Sequence, residues 1–160
     1  MPSILLSEGS AIAWLESGGD ATLSLSGLST STARQGDLVD LGASPRPRKY
    51  AWRLWVKPTS SVGSGSLSVY MKTSNGTHPD IPGTTDGNTT AYAVLRVLRQ
   101  QTGFSGSSEM VLSGVVEIEA RYFAPVVLNT LGVDLSGTPS DHGFSLMPVP
   151  DSFALQFCEE

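Results

Sequence analysis

The sequence predicts an all-β fold, an antiparallel β-sandwich of jelly-roll type, from three observations. Runs of alternating apolar and polar residues recur along the chain, segments rich in glycine, proline and serine separate them, and charged residues are scarce. The 160 residues include 17 Gly and 10 Pro, with 16% charged against 39% hydrophobic residues, a composition that favours many short strands joined by tight turns. The length suits a single domain with a substantial core. That domain is placed at residues 11–160, behind an arm or edge strand over residues 1–10.

The strongest pattern runs from Ala51 to Thr73. Trp52, Leu54 and Val56 alternate with Arg53, Trp55 and Lys57; beyond the break Pro58–Gly65, Leu67, Val69 and Met71 alternate with Ser68, Tyr70 and Lys72. Period two marks strands with one dry and one wet face, and the two runs are expected to be antiparallel neighbours in the middle of a sheet.

From the amino terminus, Ile4-Leu5-Leu6 is a short apolar run ending in a turn, and Ala11–Leu15 fits a strand or a helical turn before Gly18-Gly19-Asp20 breaks it. Ala21–Leu28 alternates as a strand. Asp37–Leu41 is a brief strand, and Gly42–Lys49 with its prolines is a loop. Thr73–Thr90 is a long turn-rich segment, which is either a tolerated surface excursion or the part that touches a partner.

Ala91–Arg99 fits a strand or a short helix, with strand preferred. Glu109–Ala120 alternates Val116 and Ile118 against Glu117 and Glu119, with a bulge or bend expected at Gly114. Arg121–Asn129 is apolar on both parities, which argues for burial on both faces, although Pro125 calls for a bulge or an edge position. Phe144–Val149 is the last strand. The tail Asp151–Glu160 carries Phe153, Leu155 and Phe157 in alternation, a sticky run expected to pair as an edge strand or to pack on another subunit.

Chemistry-bearing motifs are few. His78 and His142 belong to no zinc spacing and fit turn-capping roles. Gly103-Phe104-Ser105-Gly106-Ser107 fails the last position of a nucleophile elbow. Glu117 and Glu119 share a strand face, but the alternation that defines the strand already explains them. No catalytic residue, metal ligand or cofactor is therefore assigned, and an enzyme is not expected. The net charge of −5 and sequence pI near 4.9 make neither nucleic acid nor an anionic membrane an expected partner. Arg46, Arg48, Lys49 and Arg53, interrupted by Pro45 and Pro47, fit a solvated turn or a protein contact.

Cys158 is the single cysteine, which leaves no intrachain disulfide, and no signal-peptide pattern or apolar span is evident. Arg53, Trp55, Lys57, Tyr70 and Lys72 fall on the wet face of the expected central pair, where rings between cations fit a protein contact or a self-covered face better than a ligand platform.

The succession Gln35–Gly42, Tyr50-Ala51-Trp52-Arg53 to Lys57-Pro58, Leu67–Tyr70, Pro82-Gly83, Ser113–Val116 to Arg121-Tyr122, and Val126–Asn129 resembles small virion proteins of tailed bacteriophages, the capsid cement or decoration proteins. The resemblance spans most of the chain but rests on short patterns. It implies a structural protein on the capsid exterior, made in the host cytoplasm, that binds the major capsid protein and clamps neighbouring capsomers. It also implies a homo-oligomer, a trimer favoured over a dimer. The contact residues this places at the interfaces are Ile4, Leu5, Leu6, Trp55, Tyr70, Phe153, Leu155 and Phe157. The competing reading is a carbohydrate-binding or tail-associated adhesion module, in which Trp14, Trp52 and Trp55 would form a stacking platform.

Overall fold

The structure, a computed structural model, describes residues 10–76, 83–102, 104 and 107–149. Within them the strands are β1 (Ile12–Leu15), β2 (Ala21–Thr22), β3 (Thr32–Gln35), β4 (Val39–Asp40), β5 (Lys49–Val56), β6 (Ser66–Ser74), β7 (Gly87–Thr89), β8 (Arg96–Thr102), β9 (Met110–Glu117), β10 (Tyr122–Thr130) and β11 (Gly143–Pro148). Sheet I has the order β2-β1-β11-β5-β9, and sheet II the order β7-β3-β10-β6-β8 with β4 also on β10. All pairings are antiparallel except β1 with β2. The two sheets close on a shared core, so the expected β-sandwich is the observed one.

That core is aromatic at its centre. Trp14 meets Phe123 and Phe144 edge-on, each with ring centroids 5.6 Å apart, and Phe144 stacks on Trp52 at 6.0 Å. Leu54, Val56, Leu67, Val69, Leu112 and Ile118 surround them, all buried. The inward residues of β5 and β6 are those the alternation picked out.

Their partners are not. β5 lies between β11 and β9 in sheet I, while β6 lies between β10 and β8 in sheet II, so the expected antiparallel pair is absent. Pro58–Gly65 forms an arch between sheets: Pro58 bridges Leu135, the Thr59 N–H donates to the Asp134 carbonyl at 3.0 Å, and Val62 is buried. A side chain at Gly65 would collide with the backbone of Leu131, which fixes how closely the arch passes.

Three further expectations change. Ala21–Leu28 is paired as a strand only over Ala21–Thr22, yet Leu23, Leu25 and Leu28 still reach the core. Carboxylates stand in for a partner strand: Thr22 N–H donates to Asp37 (2.9 Å), Ser24 N–H to Asp86 (3.0 Å) and Ser26 N–H to Glu16 (3.2 Å), satisfying donors a ladder would otherwise take. Gly114 sits in unbroken register opposite Trp52, with no bulge; an added Cβ would lie 3.0–3.2 Å from the indole, so the glycine makes room for that ring. Pro125 lies in a central strand whose register with β6 is continuous from Tyr122 to Thr130. The interruption is in the neighbour: β3 pairs residues 126–129, β4 pairs 122–123, and between them Gly36 N–H donates to the Pro125 carbonyl. The proline's missing donor therefore faces the gap where β3 ends and β4 begins.

Candidate interaction surface

Because the inward residues alternate with outward ones, each sheet has a second, outer face, and the two are built differently. In sheet II the outward Val126 and Leu128 of β10 and Ala33 of β3 are buried, beside the buried Gln35, whose side-chain amide donates to the carbonyls of Gly83 and Thr85. A covering segment explains this. β7 and β8 occupy opposite edges of the sheet, so the chain between them must cross β3, β10 and β6, a span on the order of 19 Å at the usual strand spacing. The inner face is filled, and the crossing takes the outer one. A 3-10 turn, Ala91–Val94, brings Tyr92 against Tyr70 at 5.6 Å between centroids and leads to Leu95, packed with Tyr92 on the same cluster. Ala91–Arg99 is thus a helical turn followed by the edge strand β8, which reconciles the two patterns its sequence fits.

Of Thr73–Thr90, Thr73 and Ser74 end β6, and the described residues from 83 on lead through β7 into this cover. Asp86 anchors it, accepting from Arg34 Nη2 (3.0 Å) and Ser24 N–H, while its own N–H donates to Asp37 (2.8 Å). Burial pushes the Asp86 carboxyl up, but the hydrogen bonds from Arg34 and Ser24 outweigh it and hold the group below the usual range. Sequence reasoning missed this pair of carboxylates; the turn signatures Gly36-Asp37 and Asp86-Gly87 were the available signal.

Sheet I carries no such cover among the described residues. Its outer face is ordered in rows across the strands: Met147–Ala51–Val115, then Ser145–Arg53–Ser113, then Gly143–Trp55–Val111. Val115 is 62% exposed, Met147 53% and Val111 42%. Two apolar rows thus flank one polar row, and Lys49 opposite Glu117 closes one end. The indole of Trp55 lies over Gly143, where any side chain would collide with it and with Leu15, and the Arg53 guanidinium sits 5.8 Å from the ring centroid. Trp55 is thereby held flat on the sheet and half-buried.

Trp55 and Tyr70 are consequently on opposite sides of the molecule, and the wet face they were expected to share with Arg53, Lys57 and Lys72 does not exist. Tyr70 is covered by its own chain, and Lys72 is fully buried in sheet II. Ile4, Leu5, Leu6, Phe153, Leu155 and Phe157 lie outside the described residues. Of the three tryptophans, Trp14 and Trp52 are 0% and 4% exposed, so a stacking platform made from all three is not formed.

The remaining candidates are structural or open. His142 is a buried strut whose Nδ1 accepts from the Lys57 N–H (3.3 Å) and whose Nε2 meets the Ser136 carbonyl (2.8 Å), in keeping with a turn-capping histidine; His78 lies outside the described residues. Arg46 is consumed by the carbonyls of Ile118, Glu119 and Ala120. Glu117 and Glu119 are exposed along an open groove of about 710 Å³ beside Met71, Thr73, Val94 and Arg96. No group of three His, Cys, Asp or Glu side chains able to hold a metal occurs among the described residues. No protein-family model matches the chain, and no curated protein matches it.

Proposed function

We propose that this chain is a structural virion protein of the capsid cement type, a homo-oligomer that binds the outside of an assembled phage shell and bridges neighbouring capsomers. The observation that carries the reading is the bare outer face of sheet I, where two apolar rows stand exposed across the strands, while the middle of the opposite sheet is covered by its own chain and leaves Val94 and Val97 exposed at its β8 side. An exposed patch of this kind fits a protein contact, and aromatic and methionine side chains with an arginine between them are the residues enriched at such contacts. The resemblance of the strand sequences to decoration proteins supplies the partner, the major capsid protein. A protein that binds only the assembled shell stabilises it by mass action, multiplied over many copies.

The reading as an adhesion module that stacks sugars loses two of its three tryptophans to the core. The test is a mass-resolved inventory of particles containing this chain. Hundreds of copies on heads, with shells that withstand heat better when the protein is present, are expected; a handful of copies confined to tails would overturn the proposal.

A further inference from the structure

We infer that the outer face of sheet I is occupied by the segment Phe153–Phe157 of a second copy of this chain. This rests on the homo-oligomeric part of the reading above, and its test contains no shells, so the two can fail separately. The face presents its apolar rows at Val115 and Val111, four residues apart on β9 and therefore about 13 Å from one another. Phe153 and Phe157 are separated by the same four residues, with Leu155 between them on the same parity. An extended segment laid along the strands sets one phenylalanine on each row. Leu155 then falls on the small Ser113 and Ser145 and the methylene stem of Arg53. Lys49 opens β5 opposite Glu117 and Lys57 follows it, its Nζ 3.7 Å from Asp141 and half-exposed, so Glu159-Glu160 run toward a lysine that already has an acidic neighbour whichever way the segment lies.

Reach decides which copy supplies the segment. The described chain leaves sheet I at Val149, whose N–H donates to the Lys49 carbonyl, two residues past Met147 on the first apolar row. A layer stacked on the sheet lies about 10 Å above it. Seating Phe153 of the same copy over Met147 requires a displacement of ~12 Å backwards and upwards. The four Cα steps available span at most ~14 Å when straight, only ~2 Å more than that displacement, so a seat on the same copy would need a nearly taut connection that also reverses its direction. A neighbouring copy has no such constraint. Donor segment and acceptor face are different patches, so two copies can exchange segments in a symmetric dimer and three can close a ring.

The test uses the full-length protein with Cys158→Ser and Phe157→Cys, combined in separate variants with Val111→Cys and with Val115→Cys, because the direction of the segment decides on which row Phe157 falls. Oxidation of one of the two is expected to yield disulfides between copies, at least fivefold more than when Val97→Cys on sheet II takes their place. A disulfide within one copy, or a yield no greater than the Val97 control from both variants, overturns the inference. Because Phe157→Cys itself weakens the contact, a second measurement keeps the native cysteine: the unsubstituted chain is compared with Phe153→Ser/Leu155→Ser/Phe157→Ser by light scattering and tryptophan emission. Trp55 is the tryptophan that emission from a newly exposed surface reports, since Trp14 and Trp52 are buried. The triple variant is expected to fall to monomer mass with red-shifted emission; equal mass and emission for the two chains overturn the inference.

Discussion

Sheet I and sheet II have inner faces of the same kind and outer faces of opposite kinds. The difference follows from connectivity. In sheet II two strands that are close in sequence, β7 and β8, stand at opposite edges, and the link between them has to run across the outside, carrying Tyr92 and Leu95 onto Val126, Leu128 and Tyr70. In sheet I none of the described connections runs across the outer face, and Val111, Val115 and Met147 stay exposed. Apolar residues facing outward thus carry different meanings in the two sheets: under a crossing they are a second small core, and without one they are a surface for another molecule.

The sharpest way to break this comparison is to place the same charge on each face. Val126→Asp buries an unpaired carboxylate beneath the cover and is expected to cost about 3–5 kcal/mol. Val115→Asp on the open face, placed in the Phe153→Ser/Leu155→Ser/Phe157→Ser chain so that no second copy covers it, is expected to stay within about 0.5 kcal/mol. Urea midpoints of the two variants measure the gap, and equal costs would mean that sheet I is covered as well.

A smaller effect should come from the anchor of the cover. Asp86→Ala removes the acceptor of Ser24 N–H and Arg34 and is expected to cost about 1–3 kcal/mol at neutral pH. The Asp86 carboxyl is held low in the folded protein, so its contribution is present above the ordinary carboxylate value near 4 and is lost as pH falls below it. The gap between wild type and Asp86→Ala should narrow through that window in denaturation measured from pH 6 downwards.

Tyr92→Ala tests the lid alone. Tyr92 is half-buried and meets a single ring, so a loss of about 1 kcal/mol is expected, accompanied by faster proteolysis within residues 83–95 while β5 and β11 stay protected from hydrogen exchange. Protection lost uniformly across both sheets would show that lid and body open as one unit.

The smallest effect is expected at Asp40, which pairs with Arg121 through two hydrogen bonds at 2.6 and 2.8 Å on the surface of sheet II. The Arg121 hydrogen bonds, followed by the Gly42 N–H, lower its pKa to about 2. The pair therefore stabilises fully above about pH 4 and loses its effect as pH falls through about 2. Exposed pairs of this kind contribute little, and Arg121→Gln should shift the urea midpoint slightly at pH 6 and progressively less as pH falls through about 2.

Much of this architecture was legible in the residues, and the part that was not has a common cause. Alternation identified Trp52, Leu54 and Val56 and, separately, Leu67, Val69 and Met71 as inward, because period two depends only on a strand having one dry face. It does not say whether two dry faces lie side by side in one sheet or oppose each other across a core, and a Pro- and Gly-rich link such as Pro58–Gly65 serves a hairpin and an arch equally well. The same ambiguity placed Trp55 and Tyr70 on one surface when they lie on two. Apolar density on both parities did reveal that Tyr122–Thr130 is buried on both sides. What covers it came from residues 91–95, whose pattern matched strand and helix because it contains a turn of one and the start of the other. The rows of sheet I were hidden for a different reason: Val111, Trp55 and Met147 are far apart in sequence, and only the register brings them together.

The register of β10 and β11 has one further outcome. Sheet II is joined across its middle by β10, which pairs with β3, β4 and β6, and in sheet I β11 joins β1 to β5, so both layers are completed by the two strands latest in sequence among those described. A nascent chain that has reached residue 120 can form the pairs β1–β2, β3–β7, β5–β9 and β6–β8 but cannot yet join them into two sheets, and those joins close over long stretches of sequence, which makes for slow acquisition of structure. Assembly through the outer face of sheet I is thereby postponed until β11 has been made, and shorter nascent chains have no finished surface with which to compete for the same sites.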